Sequence, residues 1–180
     1  MAIDSGRLKG AIRSVPDFPK KGIVFRDITT LIRDPGLFKG AVDAVRDWCR
    51  DRGIDAVVCT ESRGFIFGAA IAYALGAGVV PVRKKGKLPH ETFAEEYELE
   101  YGIDALEIHR DALPAGSTVL IVDDLLATGG TAAATARLVK KLGAKIAGIV
   151  FVIELAFLNG REKLKGYDVH SLVRYASEGE

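Results

Sequence analysis

The sequence predicts an α/β fold, a single domain over residues 1–180 with an open, mainly parallel twisted sheet flanked by helices. A length of 180 residues suits one domain of ordinary size. Short runs rich in Val and Ile, typical of parallel strands buried on both faces, lie at 55–60, 79–82, 118–122 and 146–153. Helical patterns that end near a glycine separate these runs and lie at 38–52, 65–75 and 131–142. This alternation of strands and helices favours an open sheet.

The N-terminal segment, residues 1–35, departs from this alternation. It contains one short amphipathic stretch, followed by Pro16, Pro19 and Pro35. Because proline interrupts helices and central strands alike, we predict a small, irregular hood over the sheet.

A second departure is the charged segment 83–105, which two glycines and a proline interrupt. A connection longer than about 12–15 residues is uncommon inside a compact domain and is often functional. We therefore predict a flexible lid. Within it Tyr97, Leu99 and Tyr101 alternate with glutamates, which indicates a strand with an acidic outer face.

Composition excludes several classes of protein. The 25 basic and 24 acidic residues nearly balance, which disfavours a nucleic-acid partner. Cys49 and Cys59 do not have the spacing of metal ligands and are expected to be reduced thiols. The N-terminus shows no signal region, and no apolar run approaches membrane-spanning length. We therefore expect a cytoplasmic protein without a membrane partner.

The run from Val122 to Thr131, VDDLLATGGT, carries the strongest chemical signal. Ligands of open α/β sheets bind beyond the carboxyl ends of the strands, where this run begins. Its Thr-Gly-Gly-Thr segment opens a helix and offers backbone N–H groups to an anion of phosphate size. Asp123 and Asp124 are placed to accept hydrogen bonds from sugar hydroxyls or to orient a metal ion and its waters. Together these groups predict a sugar-phosphate site.

A second junction of strand and helix, Glu61-Ser62-Arg63-Gly64, offers backbone amides and a planar cationic donor to another anion. Arg63 could equally pair with Glu61 or with a surface acid. The basic run 83–87 follows the next strand; such runs are more often solvated turns, but this one begins the predicted lid. Two anion sites and an acidic pair suit a substrate with two separated phosphate groups on a polyhydroxylated core, as in phosphoribosyl pyrophosphate.

Other nucleotide-binding loops are not present in the sequence. No Gly-x-x-x-x-Gly-Lys-Ser/Thr occurs, and the run that starts at Gly76 lacks the third glycine of a dinucleotide fingerprint. A kinase or a dinucleotide-dependent dehydrogenase is therefore disfavoured.

The chain resembles the type I phosphoribosyltransferases, and within them the adenine-specific members. The run 122–131 is similar to the family's phosphoribosyl pyrophosphate motif. Further matches follow in the same order over nearly the whole chain, at 18–27, 62–65, 83–89, 99–102 and 106–109. Glu61 stands where some relatives carry Asp, and residues 176–180 match no known element of the family.

The resemblance implies a role for each matched segment. The 5′-phosphate would bind at Ala127, Thr128, Gly129, Gly130 and Thr131, and the ribose hydroxyls at Asp123 and Asp124. Pyrophosphate would bind at the Ser62-Arg63-Gly64 loop, which in this family often includes a non-proline cis peptide, and at Arg83, Lys84 and Lys87. Adenine would bind in the hood at Val24, Phe25 and Arg26, where Phe25 would stack on the base and main-chain groups would read its edge.

The implied reaction transfers the phosphoribosyl group to adenine, giving AMP and pyrophosphate. The implied cofactor is Mg²⁺, held mainly by substrate and water near Asp123 and not directly by side chains. We assign proton handling at adenine to Glu100, with Arg63, Asp123 and Asp124 as the other catalytic residues. A solvated acid is the plain alternative for Glu100. The resemblance also implies a homodimer.

Two alternatives remain at this stage. A 6-oxopurine phosphoribosyltransferase usually builds its base site near the C-terminus, whereas here the matching segment is the N-terminal one at 24–26. A non-catalytic regulator that senses phosphoribosyl pyrophosphate generally adds a DNA-binding domain, for which 180 near-neutral residues leave no room.

Overall fold

A computed structural model describes residues 3–98 and 103–180. The strands in these residues are β1 Arg13–Pro16, β2 Val24–Asp27, β3 Ala56–Thr60, β4 Gly78–Lys84, β5 Thr92–Glu98, β6 Ile103–His109, β7 Thr118–Leu126, β8 Lys145–Leu155 and β9 Val169–Tyr175. The α-helices are α1 Ser5–Ala11, α2 Thr29–Ile32, α3 Pro35–Trp48, α4 Gly64–Leu75 and α5 Gly130–Lys141. Two short 3-10 turns, Ala156–Leu158 and Gly160–Leu164, follow β8.

Seven strands form one sheet in the order β5-β6-β4-β3-β7-β8-β9. The five strands from β4 to β9 in this order run parallel, while β6 pairs antiparallel with β4 and β5. The predicted mainly parallel α/β sheet is therefore confirmed. None of the helices in the described ranges is both long and apolar enough to cross a membrane.

The apolar strand residues divide between the two faces of the sheet. Val57 and Leu120 belong to a core that α3 and α4 cover, whereas Val58 and Ile121 belong to a core that α5 covers. Successive strand residues point to opposite faces, so continuous apolar runs are needed when both faces are buried. This burial fixes the strands whose carboxyl ends form the site.

The three predicted helices exist, with shifted ends. The helix expected over 38–52 starts at Pro35, after the Asp34 side chain caps Gly36 and Leu37, and it stops at Trp48. Gly76 ends α4 in the left-handed conformation, with φ of 67°, as predicted for a C-terminal cap. Gly53 lies five residues beyond the end of α3 and is not its cap, which is Cys49.

The N-terminal segment is more regular than the predicted irregular hood. It contains α1, α2 and an antiparallel pair, β1 and β2, in which Val15 lies opposite Phe25. The loop between the two strands contains Pro19 after a cis peptide bond, and Asp17 accepts a hydrogen bond from the Gly22 amide at 2.7 Å. The Asp17 hydrogen bond closes a tight loop, which a count of prolines does not reveal.

The charged segment predicted to be a lid contributes β5 and β6 to the edge of the main sheet. The expected alternation is seen at Glu96, which is exposed, and Tyr97, which is buried, while Leu99 and Tyr101 lie outside the described residues. Glu95 pairs with Arg137 and Lys141 of α5, both at 2.7 Å, and this attaches β5 to the body of the domain. Whether the segment moves as a lid stays a prediction.

Candidate active site

The candidate site lies at the carboxyl edge of β3 and β7. These strands are neighbours, with Cys59 opposite Val122, so the residues that follow meet at one place. A cavity of about 280 Å³ opens there. Its walls include Arg63, Asp123, Asp124, Lys84 and the loop 127–131. The acids were expected just after a strand ending at Val122, but β7 continues to Leu126 and contains both.

Asp123 and Asp124 are each 8% exposed at the floor of this cavity. Burial raises the pKa of Asp123 well above its ordinary value, and the neighbouring Asp124 carboxylate raises it further. Burial also raises the pKa of Asp124, which the Arg63 guanidinium partly offsets. The Asp124 amide donates to Asp123 Oδ1 at 2.9 Å. Two buried acids so arranged favour a ligand that brings hydroxyl donors or positive charge.

Arg63 connects the acidic pair to the N-terminal hairpin. Its Nε lies 2.8 Å from Asp124 Oδ2, and its Cζ lies 5.1 Å from the centre of the Phe25 ring. The pairing with Glu61 that the sequence left open does not occur, because Glu61 has other partners. The contact with Asp124 places the hairpin beside the acids although the two are almost a hundred residues apart in sequence.

The turn between β3 and α4 packs closely against the acids. A Cβ atom on Gly64 would lie 2.7 Å from Asp123 Oδ1, so only glycine fits there without movement. The Ser62 side chain is exposed, and the peptide bond between Glu61 and Ser62 is cis. A non-proline cis peptide at this loop agrees with the resemblance drawn from the sequence.

The loop Ala127–Gly129 and the start of α5 form the opposite wall. Gly129 precedes the helix with φ of 79°, a left-handed conformation that glycine adopts without strain. Gly130, Thr131 and Ala132, in the first turn of α5, line the cavity. Helix N-termini of this kind bind phosphate through free N–H groups and the helix dipole.

A segment that the sequence analysis missed supports this loop from behind. Gly160 lies so close that a Cβ on it would be 2.2 Å from the Ala127 carbonyl oxygen, and one on Gly129 would be 2.3 Å from the Gly160 oxygen. The next residue, Arg161, makes two 2.7 Å hydrogen bonds to Glu154, which is buried on β8. No local motif signals the contact, because its partners are about thirty residues apart.

The three predicted basic residues collect around Glu61, whose side chain is 9% exposed. Its carboxylate lies 2.8 Å from Lys87 Nζ and 3.4 Å from the Arg83 guanidinium, and it accepts the Lys84 amide at 2.5 Å. Burial opposes ionisation of Glu61, but these donors outweigh it and lower its pKa. The Lys84 side chain pairs instead with Asp104 at 2.8 Å and lines the cavity.

The three hood residues, Val24, Phe25 and Arg26, have different environments. Phe25 makes an edge-to-face contact with Phe18 at 5.2 Å. Arg26 is buried against the Tyr175 ring, 4.0 Å from its centre. The Val24 amide donates to the Glu178 carboxylate at 3.1 Å. Phe25 contacts Arg63, a residue of the cavity wall, and this contact links the hood to the candidate site.

Two further residues of the cavity were missed from sequence. Thr60, at the end of β3, has its hydroxyl buried without a hydrogen-bond partner among the described residues. Tyr97 is buried and its hydroxyl lies 3.4 Å from Asp104 Oδ2. Thr60 ends an apolar strand and Tyr97 lies in a strand rich in glutamate, so neither residue belongs to a recognisable motif. Glu100, assigned to proton handling, lies outside the described residues.

Comparison with known proteins places the chain in a family. Residues 32–173 match the model of the phosphoribosyl transferase domain. A protein named adenine phosphoribosyltransferase from Acetivibrio thermocellus is 59% identical over 169 residues, which cover 93% of this chain and 99% of that protein. The chain belongs to the adenine phosphoribosyltransferase family.

Solved structures of this family share the fold. The adenine phosphoribosyltransferase of Thermoanaerobacter pseudethanolicus is 52% identical with a TM-score of 0.92, over 96% of this chain and all of that one. The Saccharomyces cerevisiae adenine phosphoribosyltransferase, crystallised with adenine and an iminoaltritol bisphosphate, is 49% identical with a TM-score of 0.89. That match covers 93% of this chain and 97% of the yeast chain. The resemblance drawn from the motifs, and the fold it implied, are confirmed.

Proposed function

We propose that the protein transfers the 5-phosphoribosyl group of phosphoribosyl pyrophosphate to adenine, giving AMP and pyrophosphate in purine salvage. The observation that carries this is the contact series Phe25–Arg63–Asp124, which joins the hood to the acidic pair that lines the cavity. The loop 127–131, which we call the phosphate loop, borders the same cavity. The yeast relative that binds adenine together with a bisphosphate supports both halves of the substrate pair.

Each part of phosphoribosyl pyrophosphate has a matching wall. The 5′-phosphate binds the N–H groups of Ala127–Thr131 at the start of α5. The ribose hydroxyls donate to Asp123 and Asp124, whose burial favours a partner that brings hydrogen-bond donors. Pyrophosphate binds at the Ser62-Arg63-Gly64 turn and at the cations of 83–87. Lys84 lines the cavity, and Arg83 and Lys87 pair with Glu61, which also lines it.

Adenine binds against Phe25, with its edge read by main-chain groups of Val24 and Arg26. A carbonyl oxygen accepts from the 6-amino group of adenine and repels the 6-oxo group of hypoxanthine or guanine. A site built on such a polar contact discriminates far more strongly than an apolar pocket, because the wrong base leaves buried groups unpaired.

The reaction breaks the bond between C1′ and pyrophosphate, and adenine N9 then attacks C1′ with inversion. Asp123 and Asp124 hold the ribose in place while C1′ becomes oxocarbenium-like. Arg63, Arg83 and Lys87 stabilise the charge that develops on pyrophosphate. The assignment of proton handling to Glu100 stays a prediction, as does closure of segment 83–105 to exclude water.

Mg²⁺ fits this set of residues. Asp123, Asp124 and the unpartnered Thr60 hydroxyl supply oxygen donors at the cavity floor, the ligand type that Mg²⁺ prefers directly or through water. Burial of two acids with raised pKa also favours a nearby cation. When bound with the substrate, the ion neutralises charge on pyrophosphate, and Asp123 is the residue placed to orient its waters.

The assay is incubation of the protein with phosphoribosyl pyrophosphate, Mg²⁺ and adenine, with AMP and pyrophosphate measured over time. Equal amounts of both products are expected, and none without adenine. Binding of phosphoribosyl pyrophosphate without turnover would favour the sensing regulator instead. Turnover of hypoxanthine but not adenine would favour the 6-oxopurine enzyme.

A homodimer is the expected assembly. Ile66 and Tyr73 lie two turns apart on α4, and they are 43% and 91% exposed. Exposed apolar residues on one helix face are suited to a protein interface. Light scattering after size exclusion tests this by giving a mass of two chains. The cytoplasmic location stays a prediction.

A further inference from the structure

β2 pairs with β1 along one edge, and its other edge is not paired with a strand in the described residues. In an antiparallel pair, successive residues turn their N–H and C=O groups alternately toward and away from the partner strand. Val24 donates its N–H to Glu178, so the N–H and C=O groups of Val24 face away from β1. Arg26, two residues further on, therefore presents its N–H and C=O groups on that same free edge. This is the edge to which the proposed function assigns reading of the base.

The C-terminal tail, residues 176–180, meets this edge at both residues. The Glu178 carboxylate accepts the Val24 amide at 3.1 Å, and the Glu178 carbonyl accepts from the Arg26 guanidinium at 2.6 Å. The same guanidinium donates to the Ser14 hydroxyl and stacks on Tyr175, the last residue of β9. One tail residue thus contacts the backbone of one base-reading position and the side chain of the other.

The tail is itself fixed to the body of the protein. The Glu180 carboxylate accepts the Ala176 amide at 2.6 Å and pairs with Lys9 of α1 at 2.5 Å. Lys9 also donates to the Arg174 carbonyl at 3.2 Å. These contacts close the five residues into a turn, so Glu178 is attached to β9 and α1 when it contacts the hood.

We propose that Glu178 is a positioning residue for base binding, which holds the Val24–Arg26 edge in the geometry that reads adenine. The inference rests on the proposed function. A two-stranded hairpin is marginally stable by itself, and within the described residues β1 and β2 form strand pairs only with each other. An edge fixed before the base arrives binds it without a further ordering cost. The tail, which matched no known element of the family, thereby gains a role in the reaction.

Kinetics of two Glu178 variants test the proposal. Glu178→Ala removes the acceptor for the Val24 amide, whereas Glu178→Gln keeps an amide oxygen there. Glu162→Ala is the matched control, since Glu162 is exposed and pairs with Lys165, away from the hood. We expect Glu178→Ala to raise the KM for adenine about three- to tenfold, the size of one lost hydrogen bond. The Gln variant and the control should stay near wild type, as should the KM for phosphoribosyl pyrophosphate.

Hydrogen exchange supplies a readout that does not depend on turnover. The amides of Val24 to Arg26 in the unliganded protein should exchange faster in Glu178→Ala than in the control, because the edge opens more often. Unchanged exchange, or an unchanged KM for adenine, would overturn the proposal, and so would an equal rise in both KM values. If the wild type made no AMP, the proposed function would fail, while the exchange data would still decide whether Glu178 fixes the edge.

Discussion

Arg63 is the residue on which most of the site depends, because it contacts both Asp124 and Phe25. Its place after a buried strand predicted an anion-binding cation, but its two partners could not be read from the sequence. Asp123 and Asp124 were predictable since they adjoin a phosphate loop in the same run. Thr60 was not, since a hydroxyl at the end of a buried strand resembles any strand threonine until its surroundings are known.

Replacement of Arg63 tests its double contact. We expect Arg63→Ala to lower kcat/KM for AMP formation by roughly a hundredfold or more, the usual effect of removing a donor that stabilises developing charge. Arg63→Lys keeps the charge but not the planar group that reaches Asp124 and Phe25 together, so it should recover only part of the rate. Arg50→Ala, an exposed arginine paired with Asp47, is the control. A near-normal rate in Arg63→Ala would contradict the site.

Burial of the Asp123 carboxyl is expected to lower the stability of the protein at neutral pH although the carboxyl is needed for function. Burial and the Asp124 carboxylate raise its pKa well above the ordinary value, so between the two values the folded state binds a proton that the unfolded state releases. Stability is therefore full below the ordinary pKa of the carboxyl and falls as the pH rises toward the raised one. Asp123→Asn removes this loss, and we expect a higher Tm than wild type at pH 7.

The comparison of Tm values should be made at two pH values. The gain of Asp123→Asn should shrink below about pH 4, where the unfolded carboxyl is also protonated. Asp111→Asn, at an exposed position, should leave the Tm unchanged at both pH values. A lower Tm for Asp123→Asn at pH 7 would contradict the account, whereas a loss of activity in this variant is expected.

At the scale of elements, burial decided what the sequence could predict. β3, β7 and β8 are buried on both faces, and their apolar runs predicted them directly. β9 was missed because it is an edge strand whose polar residues, such as His170 and Arg174, interrupt the apolar pattern. The β1–β2 pair was missed because proline suggested irregular chain where a tight loop joins two short strands.

A substitution at Gly160 tests the contact between the phosphate loop and the segment after β8. Gly160→Ala places a methyl group against the Ala127 carbonyl, so the loop must move. We expect a loss of about 1–3 kcal/mol in the free energy of unfolding, typical of overpacking, and a higher KM for phosphoribosyl pyrophosphate.

The control for this variant is Gly10→Ala in α1, where an added Cβ meets open space. It should leave the KM unchanged and stabilise the protein by up to about 1 kcal/mol, because alanine favours the helix. Normal stability and a normal KM in Gly160→Ala would show that Gly160 does not set the shape of the phosphate loop. Denaturant unfolding and initial rates measure both quantities.

At the scale of the whole molecule, the sheet brings together residues from distant parts of the chain. The parallel order places the ends of β3 and β7 side by side, and the tail returns to β2 after β9. The sequence predicted the sheet and proposed an anion site at the ends of β3 and β7, because those signals are local. It could not predict that hood, acids and tail meet, since that depends on packing between residues far apart in sequence.

In the proposed function, main-chain groups at the free edge of β2 bind adenine beside the phosphoribosyl site. The most direct measurement is the ratio of kcat/KM for adenine to that for hypoxanthine, with phosphoribosyl pyrophosphate and Mg²⁺ saturating. Main-chain recognition of the 6-amino group predicts a ratio of roughly a thousand or more. A ratio near one, or a preference for hypoxanthine, would contradict the account.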